Sequence, residues 1–82
     1  MSYWVYVLHS QKDGKYYIGS GEDALERLRR HNAGDYRFTK GHRPWSMVYQ
    51  EKVKTRSEAM KLEKFYKSGV GRRIVKSRLL EQ

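Results

Sequence analysis

The sequence predicts an α+β fold, a three-stranded antiparallel sheet flanked by helices in the order β-β-α-β-α-α. Two short runs rich in aromatic and β-branched residues lie on either side of a turn signal at Asp13-Gly14, as expected of a hairpin. Two helix-capping patterns follow, and a third strand-like run lies between them. At 82 residues, the chain is expected to form a single domain, residues 1–82.

The hairpin is predicted to pair residues 3–9 with residues 15–21 through a two-residue turn at Asp13-Gly14. In that register Gly19 faces Leu8. Because side chains alternate between the faces of a strand, the exact register decides which side chains become neighbours, and its parity decides which face they share.

Two tyrosines of the hairpin, Tyr6 and Tyr17, are predicted to share one face with Trp4, beside the bare backbone of Gly19 and Gly21. Glycine there would let the backbone of a ligand come close. An ordinary pair of sheet aromatics is the alternative interpretation.

The first helix is predicted over residues 23–32. Asp23 precedes Glu26 with capping-box spacing, and Gly34 provides a left-handed stop. Its core-facing residues are predicted to be Leu25 and Leu28.

Arg27 and His31 lie four residues apart and therefore share a face of this helix. A surface pair with Asp23 is the structural alternative for Arg27. Contact with the negative end of the helix dipole is the alternative for His31.

The second half of the chain begins with a polar, basic loop at residues 35–44. A third strand with one buried face, carrying its Trp, Met and Tyr, is predicted at residues 45–52. The capping box that starts at Thr55 opens a helix ending near Ser68, and a basic helix over residues 70–80 follows.

Glu63 falls on the apolar stripe of the penultimate helix. That stripe is predicted to consist of Ala59, Leu62 and Tyr66, with Phe65 alongside. A carboxylate is rarely buried without a partner, so Glu63 either pairs with an arginine or lysine or holds a cation.

Charge is the strongest global signal. The chain has 18 Lys and Arg against 9 Asp and Glu, and residues 52–82 hold ten of these basic residues but only three acidic ones. Such a localised positive field favours nucleic acid as the partner. The candidate phosphate contacts are Lys40, Arg43, Arg72, Arg73 and Lys76.

Composition also excludes several classes. With no cysteine, the chain has neither disulfides nor a thiolate metal site, which fits a cytoplasmic protein. The start, MSYWVYVL, has no leader pattern, and no apolar run is long enough for a membrane. Three scattered histidines lack zinc-site spacing.

The remaining chemistry suits phosphodiesters. An arginine offers a charged fork to a phosphoryl oxygen, and a single carboxylate together with substrate phosphate and water suits Mg²⁺. A phenol or an imidazole moves a proton.

The sequence resembles the GIY-YIG nuclease superfamily, and most closely its small stand-alone bacterial domains. The resemblance rests on VYVL at residues 5–8, YYIGSG at 16–21, ERLRRHNAG at 26–34 and SEAMKLEK at 57–64. TKGHRPW and VYQEK lie between these motifs in the order of that family.

The resemblance implies a metal-dependent endonuclease acting on nucleic acid, with DNA favoured over RNA as the substrate. In it, Glu63 would bind Mg²⁺ or Mn²⁺ and Arg27 would stabilise the transferring phosphoryl group. Tyr6 would activate or position water, with Tyr17 and His31 assisting. The alternatives are a nucleic-acid-binding module without useful turnover, and protein interaction through the aromatic loop.

The chain departs from the family pattern at two points. Trp4 and Val5 replace the glycine and isoleucine of the first half-motif. The late asparagine of many larger members has no counterpart in this sequence.

Overall fold

The computed structural model describes residues 2–80, and side chains as far as residue 77. The elements follow the predicted order with one additional short helix. They are β1 (Tyr3–Ser10), β2 (Tyr16–Gly21), α1 (Ala24–Ala33), α2 (Arg37–Lys40), β3 (Trp45–Val53), α3 (Arg56–Lys67) and α4 (Gly69–Leu80). Within the described residues, no helix has the length and apolar character needed to cross a membrane.

The three strands form an antiparallel sheet in the order β2-β1-β3. Tyr6 pairs with Gly19 and Leu8 with Tyr17, so the predicted hairpin register was wrong by two residues. The connection is longer than a two-residue turn because the Ser10 hydroxyl accepts hydrogen bonds from the backbone N–H groups of Lys12 and Asp13. A shift of two residues leaves every side chain on its predicted face.

A bulge in the sheet corrects a second prediction. Tyr49 of β3 pairs with Val7, whereas Met47 pairs with the adjacent Leu8, so one extra residue is inserted in β3. Tyr49 therefore lies on the opposite face from Trp45 and Met47, and β3 is not buried on one face only.

The two faces of the sheet are covered by different helices. On one face, α3 and α4 close an apolar cluster made of Val5, Val7, Ile18, Ala59, Tyr66 and Val75. On the other face, α1 and α2 cover a second cluster made of Tyr6, Leu8, Ala24 and Trp45, against which Trp4, Tyr17, Leu28 and Met47 pack.

Helix α1 begins and ends where its capping signals predict. The side chain of Asp23 accepts a hydrogen bond from the backbone N–H of Glu26, and Gly34 is left-handed with a φ of 85°. Leu25, however, is 65% exposed, so its predicted core position was wrong. Ala24 takes that place and is buried.

The predicted polar loop contains α2, which sequence periodicity cannot reveal because it is only four residues long. The indole N–H of Trp45 donates to the carbonyl oxygen of Thr39 at 2.9 Å. This contact holds α2 against the start of β3.

Helices α3 and α4 meet at a close backbone approach. Ala59 and Tyr66 are buried as predicted, while Phe65 is 43% exposed. A Cβ atom at Gly71 would lie 2.0 Å from the carbonyl oxygen of Phe65. Only glycine therefore fits at this crossing.

Candidate active site

A buried hydrogen-bond chain connects three elements on the α1 side of the sheet. Tyr6 and His31 are 1% and 2% exposed, and the Tyr6 hydroxyl lies 3.2 Å from His31 Nε2. His31 Nδ1 lies 2.7 Å from the hydroxyl of Thr39, which is buried on α2. His31 is thus a satisfied core residue that also touches a phenol, rather than a side chain at the helix end in solvent.

Burial, followed by the positive charge of Arg27, lowers the pKa of His31 to about 4. His31 is therefore neutral at pH 7. A neutral imidazole has one N–H donor and one acceptor nitrogen, so it donates to one of its two hydroxyl partners and accepts from the other.

Tyr6 is held as an un-ionised phenol. Burial, then the neighbouring Tyr17, raises the pKa of Tyr6 well above its usual range, and the charge of Arg27 opposes this rise. Burial likewise raises the pKa of Tyr17, whose ring lies 4.8 Å from the His31 ring, centroid to centroid. The two phenols share one face, as the alternation of β1 and β2 predicts.

The two glycines of β2 make room for side chains of this chain, not for the backbone of a ligand as their sequence context suggested. A Cβ at Gly19 would lie 2.6 Å from the Tyr6 hydroxyl oxygen. At Gly21 it would lie 2.8 Å from Nε of Arg27. The first position is too tight for a side chain because the Tyr6 ring is buried, whereas the second would be relieved by a shift of the flexible Arg27 side chain.

Arg27 projects across the end of β2. Its Nη1 donates to the Tyr36 hydroxyl at 3.2 Å, and its guanidinium carbon lies 6.0 Å from the centre of that ring. Asp23 instead caps α1, and no carboxylate of residues 2–77 forms an ion pair with Arg27.

Glu63 has a partner on each carboxylate oxygen. The Ser20 hydroxyl donates to Oε1 at 2.6 Å, and the Lys67 ammonium lies 2.7 Å from Oε2. The side chains of Glu63 and Lys67 are 24% and 48% exposed. Since Lys67 is half in solvent, losing Glu63 would not strand a buried cation.

An open cleft of about 850 Å³ separates α1 from α3; we call it the main cleft. Arg27 and Glu63 both line it, with Ser20 and Gly21 between them. Tyr6 and His31 are buried and do not line it, and Tyr17 lines a second cleft. The structure thus places all five predicted residues on the α1 side or at the β2 edge, but not in a single pocket.

The side chains around Glu63 suit one cation. Within the described residues, no three His, Asp or Glu side chains are grouped closely enough to hold a metal, so a cation at Glu63 would take most of its ligands from substrate and water. The Lys67 ammonium already balances this partly exposed carboxylate, so the position accepts positive charge. A single carboxylate with substrate phosphate and water is a common Mg²⁺ arrangement.

The five basic residues proposed from the sequence are all exposed. Arg72 and Lys76 line the second cleft. Arg43 instead donates from Nε to the carbonyl oxygen of Lys40 at 2.9 Å. Lys40 and Arg43 therefore stabilise the loop after α2 and also carry positive charge.

Sequence reasoning missed Ser20, Tyr36, Thr39 and Lys67. Lys67 follows Glu63 by one helical turn, and that spacing is a readable signal for an ion pair. Nothing local marks Tyr36 or Thr39, because α2 brings them to the site through tertiary contacts.

Comparison with known proteins identifies the family of this chain. The sequence profile of the GIY-YIG catalytic domain matches residues 2–75. The chain belongs to the GIY-YIG family. UPF0213 proteins of Staphylococcus aureus strains Mu50 and N315 are each 38% identical over 81 residues, covering 94% of this chain and 98% of theirs.

A solved relative has the same fold. The solution NMR structure of a UPF0213 protein from Bacillus halodurans superposes with a TM-score of 0.57 at 29% identity, covering 94% of this chain and 84% of the other. The three-stranded sheet with flanking helices is thus shared among small GIY-YIG proteins, and the family is one of nucleases.

Proposed function

We propose that this GIY-YIG protein is an endonuclease that hydrolyses phosphodiester bonds in DNA with the help of Mg²⁺ or Mn²⁺. The observation that carries the proposal is the main cleft, where Arg27 and Glu63 face a common space. A guanidinium and a carboxylate in that relation suit a phosphate and its counter-cation.

Glu63 would hold the divalent ion, whose chemistry is to polarise the phosphoryl oxygen and to lower the pKa of a bound water. Lys67 must release Oε2 of Glu63 for this, and its exposed ammonium is then free to meet a phosphate. Ser20 keeps the carboxylate oriented through Oε1.

Arg27 would stabilise the negative charge that develops on the phosphoryl group. It is suited to this role because no carboxylate of residues 2–77 forms an ion pair with it and because its hydrogen bond to Tyr36 orients it.

Tyr6 would position the attacking water as a hydrogen-bonding phenol; because its side chain is 1% exposed and lines neither cleft, this requires the site to open around its hydroxyl. Burial disfavours the phenolate, and the contact with neutral His31 fixes the direction of the hydroxyl. Tyr17 would pack behind His31 and limit its movement.

A second candidate function is nucleic-acid binding without turnover. The Lys67–Glu63 contact favours it, because that contact masks the proposed metal ligand. Binding of DNA without cleavage under every metal condition would establish this alternative.

Cleavage with a matched pair of variants tests the proposal. Labelled single-stranded, duplex and branched DNA, and RNA of the same sequence, are incubated with the protein and Mg²⁺, Mn²⁺ or EDTA. Glu63→Gln should abolish metal-dependent cleavage and leave DNA affinity within about threefold, because removing a negative charge does not weaken the positive field. Glu22→Gln removes an exposed carboxylate at the rim of the main cleft and should cleave normally.

Two results would overturn the proposal. One is a wild-type protein that cleaves no substrate with either metal. The other is equal activity of Glu63→Gln and the wild type at the same metal concentration.

A further inference from the structure

A second cleft, of about 410 Å³, lies at the free edge of β2; we call it the edge cleft. Residues 14–18, Phe38 and parts of α3 and α4 line it. Strand β2 is an outer strand of the sheet, so the edge cleft opens along its unpaired side. Lys67 lines both clefts, which makes them neighbours.

The charge of the edge cleft is of one sign. Its charged lining residues are Lys15, Lys67, Arg72 and Lys76, and no carboxylate among the described side chains, residues 2–77, lines it. The main cleft differs, because four acidic side chains line it beside its basic ones. An all-cationic groove attracts a polyanion and releases that polyanion's counterions.

Exposed aromatic rings stand among these cations. Phe38 is 62% exposed, yet its ring is flanked by those of Tyr17 at 6.1 Å and His42 at 5.4 Å. Tyr16 is 38% exposed, and its ring packs on His9 at 4.9 Å. Rings that are held by neighbours but open on one side are ready platforms for stacking.

We propose that the edge cleft binds a single-stranded segment of nucleic acid. Its bases stack on Phe38 and Tyr16, and its phosphates contact Lys15, Arg72 and Lys76. Flat rings interleaved with cations are how proteins bind single strands, whereas the bases of a duplex are already stacked on one another and unavailable.

The proposal deepens the proposed function and rests on it for the identity of the substrate. Lys67 connects the two clefts, so a strand in the edge cleft continues past Lys67 into the main cleft. The substrate is then a nucleic acid with an unpaired stretch next to the bond that is cleaved.

Binding in EDTA tests the edge cleft without any need for cleavage. Anisotropy is measured with a labelled thymidine 15-mer and with a duplex of equal length, for the wild type, Phe38→Ala and Phe65→Ala. Phe65 is the matched control because it is also a partly exposed phenylalanine, 43% exposed, and does not line the edge cleft.

Phe38→Ala should weaken binding of the single strand about tenfold, because stacking on one aromatic ring is worth on that order. The affinity of Phe38→Ala for the duplex should change less than twofold. The affinity of Phe65→Ala for the single strand should also change less than twofold. Phe38→Trp should retain single-strand binding. The melting midpoint of each variant checks that the fold is unchanged, as expected for so exposed a ring.

A salt titration gives a second readout. The double variant Arg72→Gln/Lys76→Gln should reduce the slope of log affinity against log salt by about 1.4, at about 0.7 per single-strand phosphate. Lys54→Gln/Lys61→Gln, with two exposed lysines outside both clefts, should leave the slope nearly unchanged.

Three outcomes would overturn the inference. These are wild-type affinity of Phe38→Ala for the single strand, equal losses on single strand and duplex, and displacement of the 15-mer by an acidic peptide such as oligoglutamate at equal concentration. The last would indicate a peptide added to the β2 edge instead. Because this experiment measures no cleavage, a negative result would contradict single-strand binding in the edge cleft but not the proposed nuclease activity. Conversely, a protein that binds the single strand by stacking but cleaves no substrate would contradict only the proposed nuclease activity.

Discussion

The face of the sheet under α3 and α4 and the face under α1 and α2 are held in different ways. The first is closed by apolar contacts among residues such as Val5, Val7 and Val75. The second buries a directional chain, in which Tyr6, His31 and Thr39 each have a specific hydrogen-bond partner. Apolar packing tolerates exchange of similar side chains, whereas a buried polar chain fixes atoms in place, as a reactive site requires.

The largest effect expected on the apolar face comes from Gly71→Ala. The added methyl group would meet the backbone of α3 at Phe65, which cannot move aside cheaply. We expect a loss of about 3 kcal/mol in the free energy of unfolding, measured by urea denaturation.

Gly69→Ala is the control on the same helix, because a Cβ there meets no atom within 4 Å. It should change stability by less than about 1 kcal/mol. Equal stability of the two variants would contradict the close approach of α3 and α4.

The polar face should give the molecule its sensitivity to mild acid. The pKa of His31 is lowered to about 4 in the folded protein from 6.5, so below pH 6.5 the unfolded chain binds a proton that the folded chain does not. Stability is therefore lost as the pH falls from 6.5 toward 4. The loss should be on the order of 2–3 kcal/mol by pH 4.5, in urea titrations at fixed pH.

The pH window is chosen so that His31 dominates it. Asp13 and Glu26, whose pKa values are about 2 when folded, begin to contribute only as the pH approaches their ordinary pKa values of 3.8 and 4.5. His31→Gln should flatten the curve above pH 4.5. A wild-type curve that is flat from pH 6.5 to 4.5 would refute the buried neutral imidazole.

Gly19→Ala tests how tightly the Tyr6 hydroxyl is confined within the polar face. The methyl group would press on the Tyr6 hydroxyl, whose hydrogen bond to His31 would have to lengthen. A stability loss of about 2 kcal/mol is expected. Gly41→Ala, at an exposed position with no atom within 4 Å, should be nearly neutral, and an equally neutral Gly19→Ala would show that Tyr6 is not confined.

Local signals predicted most of the fold. The caps at Asp23, Gly34 and Thr55 place helix ends because they satisfy backbone groups within a few residues. The prediction that Tyr6 and Tyr17 share a face was confirmed although the predicted register was wrong. The register error was two residues, and a shift of two residues leaves each side chain on the same face of the sheet.

The parts that failed depend on distant contacts. The bulge opposite Val7 and Leu8 arises between β1 and β3, and no residue of β3 signals it. Thr39 reaches His31 only because Trp45 holds α2 in place. Leu25 is exposed because Ala24 instead packs into the cluster with Tyr6 and Trp45, and the periodicity of the sequence does not reveal which of the two faces the sheet.

The central claim, that the buried polar chain of Tyr6, His31 and Thr39 serves the chemistry whereas the apolar cluster under α3 and α4 supports the fold, is tested most directly by single-turnover cleavage with two matched phenol deletions. Tyr6→Phe removes the hydroxyl next to His31, and Tyr66→Phe removes the hydroxyl that donates to Glu51 on the other face. With Mn²⁺ and saturating protein, Tyr6→Phe should lower the cleavage rate about 100-fold or more, and Tyr66→Phe should stay within about threefold of the wild type. Equal rates for the two variants, or wild-type cleavage by Tyr6→Phe, would contradict the claim.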